Sequence, residues 1–306
     1  MDETAKMKPP VEAGRQAGPG YDYLLVDVDG TLLDSSGRMS ERTGRALHRA
    51  AAAGMQLVLA TGRTCSSLSR ITSGLGLPPF HLVASGGALA LDRGGNLRHA
   101  EYMPDGLWRE VSRALADEGL SVVVFSHRPP EPLLSCVQSV AGDPHFEAYL
   151  ARNPPSALLE RRVLPDLPGA ELSHVVEVAA LGRGPDFDQA SRRLLARFGG
   201  RTSCHNMQLF INGEYGRITE FFAPGVSKWK SFLALCPGAA ARPERVIAVG
   251  DEANDLEMVR GAGLGIAMGN AIGLLKEAAD MVTADHDSDG VALALERVLD
   301  GGSFPA

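Results

Sequence analysis

Two carboxylates stand two residues apart in the run Asp27-Val28-Asp29-Gly30-Thr31. They close the apolar stretch that begins at Tyr23, which suits a buried strand, so both can reach one small volume at its exit. Acids crowded in this way are costly unless a cation shares the site. Gly30 lets the backbone turn sharply and approach a ligand. A second cluster, Thr61-Gly62-Arg63, also follows an apolar stretch. A hydroxyl and backbone N–H groups before a helix N-terminus can hold an anion. Lys228 opens an expected helix after Pro224-Gly225, where its charge opposes the helix dipole unless an anion answers it. Gly250-Asp251-Glu252-Ala253-Asn254-Asp255 gathers oxygen ligands of the kind a hard cation takes, and Gly269-Asn270-Ala271 follows the next strand. Taken singly, each has a plainer reading: an acid-capped turn, a Thr-Gly turn capping a helix, a solvated lysine. Taken together they all follow expected strands, so all face one edge of one sheet, where ligands bind in open α/β folds.

The elements that would position them are legible. Strands are expected from Tyr23 to Val28, Met55 to Ala60 and His81 to Ala84, with helices from Ser40 to Ala53 and Thr64 to Leu75 between them. Ser40 is the expected N-cap and Gly54 the terminator of the first helix. The same rhythm returns from Arg245 to Leu299. Both ends of the chain therefore build one α/β, doubly wound parallel-sheet core of Rossmann-like type. The stretch between reads as an inserted α+β unit. It contains two hairpins, one around Asp92 to Asn96 and one around Asn212-Gly213. The expected division is a disordered tail over 1–20, a core over 21–86 and 226–306, and the insert over 87–225.

Composition limits the alternatives. The 306 residues carry a formal net charge of -7, and no basic stripe stands out, so no nucleic-acid partner is expected. No run of about 18 apolar residues occurs, so no membrane span is expected. Cys65, Cys136, Cys204 and Cys236 have no C-x-x-C spacing, which points to a reducing cytoplasm.

With these motifs in place, the chain resembles the haloacid dehalogenase superfamily of phosphohydrolases, and within it the Cof-type group, whose large α+β cap follows the third core strand. The resemblance rests on Asp27 to Leu33, Thr61-Gly62-Arg63, Gly225 to Lys228, Gly250 to Asp255, Ala267 to Ala271, Ala279 to Thr283 and Asp289-Gly290-Val291. It covers residues 21 to 300, specifically in the core and loosely in the cap. Two positions depart from the group. Gly86 stands where an Asn is usual, and Trp229 stands where Gly usually follows the lysine. Both departures are expected near the cap–core cleft.

The resemblance implies a Mg2+-dependent phosphatase acting on a small phosphorylated metabolite, as a monomer or homodimer. It assigns nucleophilic attack on phosphorus to Asp27 and acid–base work to Asp29. It gives phosphate binding to Gly30, Thr61, Gly62 and Lys228. Mg2+ would be held by Asp27, the backbone carbonyl of Asp29 and Asp251, with Asn254, Asp255 and Asn270 supporting from behind. Cap contacts to the substrate are sought among His127, Arg128, His145 and Arg152. A sugar phosphomutase shares every core residue. A hydrolytic dehalogenase would not need Asp29 or the metal carboxylates. A non-catalytic metabolite-binding protein would not need the intact set.

Overall fold

A computed structural model describes residues 20–127, 133–138, 143–152, 159–164, 166–211 and 214–301. The expected tail therefore lies outside the described residues, apart from Gly20. So do the Asn212-Gly213 turn, the Pro-rich loops beginning at Arg128 and Asn153, and Arg128 itself.

The chain begins with β1 (Tyr23–Asp27), α1 (Glu41–Ala52), β2 (Gln56–Ala60), α2 (Cys65–Thr72) and β3 (Phe80–Ala84). A hairpin follows, β4 (Leu89–Leu91) and β5 (Leu97–Ala100), and then α3 (Asp105–Asp117), β6 (Val122–Ser126) and β7 (Leu133–Gln138). Next come α4 (Pro144–Arg152), β8 (Leu159–Val163), β9 (Val175–Gly182), α5 (Gly184–Phe198), β10 (Ser203–Ile211) and β11 (Glu214–Phe222). The return to the core is α6 (Lys228–Leu235), α7 (Pro237–Ala241), β12 (Val246–Gly250) and α8 (Leu256–Gly261). The chain closes with β13 (Leu264–Ala267), α9 (Gly273–Ala278), β14 (Met281–Val282) and α10 (Gly290–Leu299).

The larger sheet has eight strands in the order β14-β13-β12-β1-β2-β3-β4-β5. Its six strands from β14 to β3 are parallel. From β1 the order runs outward both ways, so right-handed crossovers must place helices on opposite faces. The packing of α1 on α10, and of α6 on α8, agrees with this. The strands from β1 to β3 and β12 to β13 are almost wholly apolar and lie in one buried cluster, as strands covered on both faces require. Ser40 caps α1 by accepting the N–H of Thr43 at 3.0 Å. Thr64 caps α2 by accepting the N–H of Ser67 at 3.3 Å.

The smaller sheet has six strands in the order β10-β11-β9-β6-β7-β8. All its pairs are antiparallel except β7 with β8. Its helices α3 and α5 pack on β9, β6 and β10. A second buried cluster fills that layer.

Three expectations change. The hairpin β4–β5, read as part of the insert, hydrogen-bonds to β3 and extends the core sheet antiparallel. Short apolar strands pair with whichever edge is open, and sequence does not name that edge. Strands β7 and β8 had no expectation at all; Pro-rich neighbours hid them. Trp229 does not face the cleft. It points from α6 toward α8, its ring 5.4 Å from that of Phe232, and a Cβ placed on Gly261 would come within 2.4 Å of it. Gly86 has φ of +62°, and a Cβ there would lie 2.9 Å from the Phe222 ring. Phe222 of β11 thus occupies the room that a side chain at 86 would need, and Gly86 does not line the cavity.

Trp229 is therefore a packing residue. Trp229→Ala should cost about 2 kcal/mol or more of unfolding free energy through lost burial and a cavity. Urea unfolding would show this, while KM for any turned-over substrate should stay within about twofold of wild type.

Candidate active site

Strands β2, β1 and β12 are adjacent and parallel, and their ends are level: Asp27 is in register with Ala60, and Val26 with Val249. Adjacent strands lie roughly 4.8 Å apart. The loops leaving β1, β2 and β12 therefore deliver Asp27, Thr61 and Asp251 to one spot at the carboxyl edge of the sheet. Gly30 makes the turn possible. Its φ is +76°, and a Cβ there would sit 2.3 Å from Oδ2 of Asp251.

Lys228 is the hub. Ser227 caps α6 by accepting the N–H of Lys230, which sets Lys228 at the first position of the helix. Its side chain is not solvated; only 1% of it is exposed. Nζ donates to Oδ1 of Asp27 at 2.6 Å, to Oδ1 of Asp255 at 2.7 Å and to Oδ1 of Asn254 at 3.3 Å. Burial opposes its charge, yet Asp255 and Asp27 hold its pKa above the ordinary lysine value. Oδ2 of Asp255 accepts the N–H groups of Asp251 and Glu252. Asp255 therefore has both oxygens engaged by protein donors and serves as a brace rather than as a ligand.

Asp251 is less well answered. It accepts from the Thr31 hydroxyl at 3.0 Å and from the Asn270 amide at 3.3 Å, and among the described residues it has no ion pair. Asn270 also donates to the Gly30 carbonyl at 2.8 Å, tying the loop after β13 to the loop after β1. Burial pushes the Asp251 carboxyl up to about 9, with the charges of Asp27 and Asp255 adding to the shift. Asp27 is pushed up to about 7 by burial, against the pull of Lys228. Carboxylate oxygens of Asp27, Asp251 and Asp255 lie within 4.8 Å of one another. A small divalent cation between Asp27 and Asp251 would relieve both shifts, so the donor set fits Mg2+.

Thr61 is fully buried, and its hydroxyl oxygen accepts the Arg63 N–H at 3.0 Å. Arg63 was not singled out as a site residue, yet it grips Asp29. Its Nε and Nη2 each donate to a different carboxylate oxygen of Asp29 at 2.6 Å. The fork geometry of guanidinium and carboxylate makes this a positioning contact. The Thr-Gly-Arg spacing was the available signal.

The site opens into a cavity of about 950 Å³ lined by both sheets. From the core come Asp27, Asp29, Gly30, Gly62, Asp251, Asn254 and Asn270. From the smaller sheet and α4 come Phe125, Tyr149, Arg161, Glu177, Met207 and Glu220. Met207 joins the two, since its sulfur accepts the Asn254 amide at 3.3 Å. Of the expected cap contacts, His127 and His145 do not line the cavity; His145 is buried against Gly216. The side chain of Arg152 lies outside the described residues.

The sequence pattern of the family described as haloacid dehalogenase-like hydrolase matches residues 24–129 and 168–295. The chain belongs to that family. The gap in the match falls on the stretch holding β7, α4 and β8. The chain is 25% identical over 287 residues to Phosphatase YwpJ of Bacillus subtilis, covering 90% of this chain and 99% of that protein. It is 24% identical over 317 residues to the chloroplastic endoribonuclease YBEY of Arabidopsis thaliana. Here the chain spans about half, 51%, of that protein's length. Among solved structures, a haloacid dehalogenase-like hydrolase of Bacteroides thetaiotaomicron superposes with a TM-score of 0.70 at 25% identity. That match covers 91% of this chain and 99% of the other. The two-sheet architecture is thus that of a Cof-type member of this hydrolase family with its cap.

Removing metal should expose the strained carboxylates. Both pKa values are raised in the folded state, so the stabilising protons are present at low pH and are lost as pH rises through about 7 and about 9. In a chelator, each such proton makes stability fall by about 1.4 kcal/mol per pH unit across its window. Thermal melts with EDTA should show Tm declining from pH 5 to pH 9. Mg2+ should raise Tm more at pH 8 than at pH 5; equal shifts at both would contradict the ligand set.

Proposed function

We propose that this chain hydrolyses a small phosphomonoester, such as a sugar phosphate, through an aspartyl-phosphate on Asp27, with Mg2+ as cofactor. The observation that carries the reading is the buried Lys228, which joins Asp27 to Asp255 beside Asp251, a carboxylate with no ion pair among the described residues. On this reading Asp27 is the nucleophile, Lys228 a fixed cation and Asp251 an oxygen ligand, all at the floor of one cavity.

Asp27, Asp251 and the Asp29 carbonyl would hold Mg2+, which when bound neutralises the charges that keep a carboxylate from a phosphate dianion. Lys228 keeps one oxygen of Asp27 fixed by its 2.6 Å hydrogen bond, which leaves the other to attack phosphorus. Its charge also answers the phosphoryl oxygens through the transition state. The backbone N–H groups of Asp29, Gly30 and Gly62 and the hydroxyl of Thr61 supply donors for the same oxygens. Asp29 is the proton carrier: it protonates the departing alcohol and then takes a proton from the water that cleaves the aspartyl-phosphate. In the described geometry Arg63 engages both oxygens of Asp29. One of them must leave the guanidinium before it reaches the leaving group, so Arg63 sets where that carboxylate waits. Met207 and the smaller sheet roof the cavity, which keeps water from the phosphoryl group until the alcohol has left.

Rapid-quench labelling with a reactive phosphate donor tests the division of labour. Asp27→Asn should form no phosphoenzyme and lose roughly 10³-fold or more of kcat/KM. Asp29→Asn should lose about 10²–10⁴-fold with an alkyl leaving group. With a nitrophenolate leaving group it should lose less and should accumulate labelled enzyme. Labelling of Asp27→Asn at the wild-type level would end the proposal.

A further inference from the structure

The smaller sheet turns one face to α3 and α5 and the other to the cavity. Strand alternation and register put Phe125, Glu177, Ile218 and Glu220 on the cavity face. Glu220 pairs across the strands with Ala179, and Glu177 lies two residues farther along the same face. The two carboxyls are therefore diagonal neighbours on β9 and β11. They are 2% and 4% exposed, and Oε2 of each has no hydrogen-bond partner among the described residues. Phosphoryl transfer makes no use of either. Burying two acids side by side without donors is costly, and a folded protein keeps such a pair where a ligand supplies the missing partners.

The surroundings say what kind of ligand. Burial, together with the charge of Glu220, holds Glu177 well above the ordinary carboxyl range, and burial pushes Glu220 up to about 8. Near neutral pH the pair thus keeps proton and offers both an O–H donor and carboxyl acceptors. Tyr149 lines the same wall and feels the charges of Glu177, Glu220, Arg161 and Arg63. Lys228 acts on Glu220 from below. A cationic ligand would meet these fixed positive charges, and an alkyl or aryl group would leave the acids without donors. A chain of hydroxyls, each both donor and acceptor, matches the wall.

We propose that Glu177 and Glu220 are specificity-determining residues that hydrogen-bond the hydroxyls of a polyhydroxylated leaving group, so that polyol phosphates are selected over alkyl, aryl and aminoalkyl phosphates. This rests on the phosphatase reading above. The acids sit on the cap wall of the cavity whose floor carries Asp27, so one end of the substrate would be gripped for its phosphate and the other for its hydroxyls.

The test uses the full chain with saturating Mg2+ and four esters: a pentitol phosphate, pentyl phosphate, aminopentyl phosphate and nitrophenyl phosphate. Wild type should prefer the pentitol over the pentyl ester by about 10-fold or more in kcat/KM, as expected when buried polar groups are left unpaired by the wrong substrate. Glu177→Met and Glu220→Met should each erase most of that preference, chiefly through KM. Each should leave nitrophenyl phosphate turnover within about twofold and raise Tm, because a buried unpartnered acid is gone. Glu220→Gln keeps a neutral hydrogen-bonding group and should retain the preference within a few-fold. Equal loss on pentitol and nitrophenyl esters, no wild-type preference, or a preference for the aminopentyl ester would each overturn the proposal while leaving a working phosphatase. Failure to turn over any ester would overturn the phosphatase reading and this one with it.

Discussion

The ammonium of Lys228 holds together a place that would otherwise come apart. Carboxylate oxygens of Asp27, Asp251 and Asp255 lie within 4.8 Å of one another in a largely buried volume. Like charges so placed repel, and burial removes the water that would screen them. The lysine answers two of the three directly. A buried charge of this kind is tolerated only where its partners are fixed by further bonds. Oδ2 of Asp255 supplies that fixing by taking the N–H groups of residues 251 and 252. The turn after β12, the start of α6 and the end of β1 are thereby one electrostatic unit, drawn from residues more than 200 positions apart.

What the lysine leaves unanswered defines the chemistry. Among the described residues Asp251 has a hydroxyl and an amide but no ion pair, and burial, with the charges of Asp27 and Asp255, drives its carboxyl up. A site with one built-in charge and one unmet demand for charge could hold a metal ion, which is what the proposed function uses. The cradle is narrow because Gly30 has no Cβ; any other residue would collide with the Asp251 carboxylate.

The second layer acts by position. Met207, on the edge strand β10, reaches Asn254 and comes close to Gly62, so the smaller sheet bears directly on the loops after β12 and β2. Phe222, on the neighbouring strand, fills the space beside Gly86. The glycine at 86 and the aromatic on β11 are two halves of one contact between sheets. In the same way the tryptophan at 229 is matched by the glycine at 261 on a helix more than 30 residues later. Neither pairing changes the site; both let the elements that carry it pack closely.

Much of this was readable before any coordinates. Apolar strands ending in Asp, Thr-Gly and Gly-Asp, separated by capped helices, dictate a parallel sheet with chemistry on its carboxyl edge, because strand direction and right-handed crossover leave no other edge for those loops. Asp27, Asp29, Lys228, Asp251 and Asp255, singled out in the sequence, are brought together at that edge, whereas Arg63, whose fork on Asp29 depends on a loop conformation, was not singled out. The destination of β4 and β5, the inward turn of Trp229 and the wall formed by Glu177 and Glu220 were decided only by the tertiary structure. An edge strand's partner, a helix's rotation and the face of a central strand that meets a cavity are set by what packs opposite, and that information lies in distant parts of the chain. An isolated Glu amid Val and Ala signals that something unusual is buried, but only the neighbouring strand shows that a second carboxyl stands beside it.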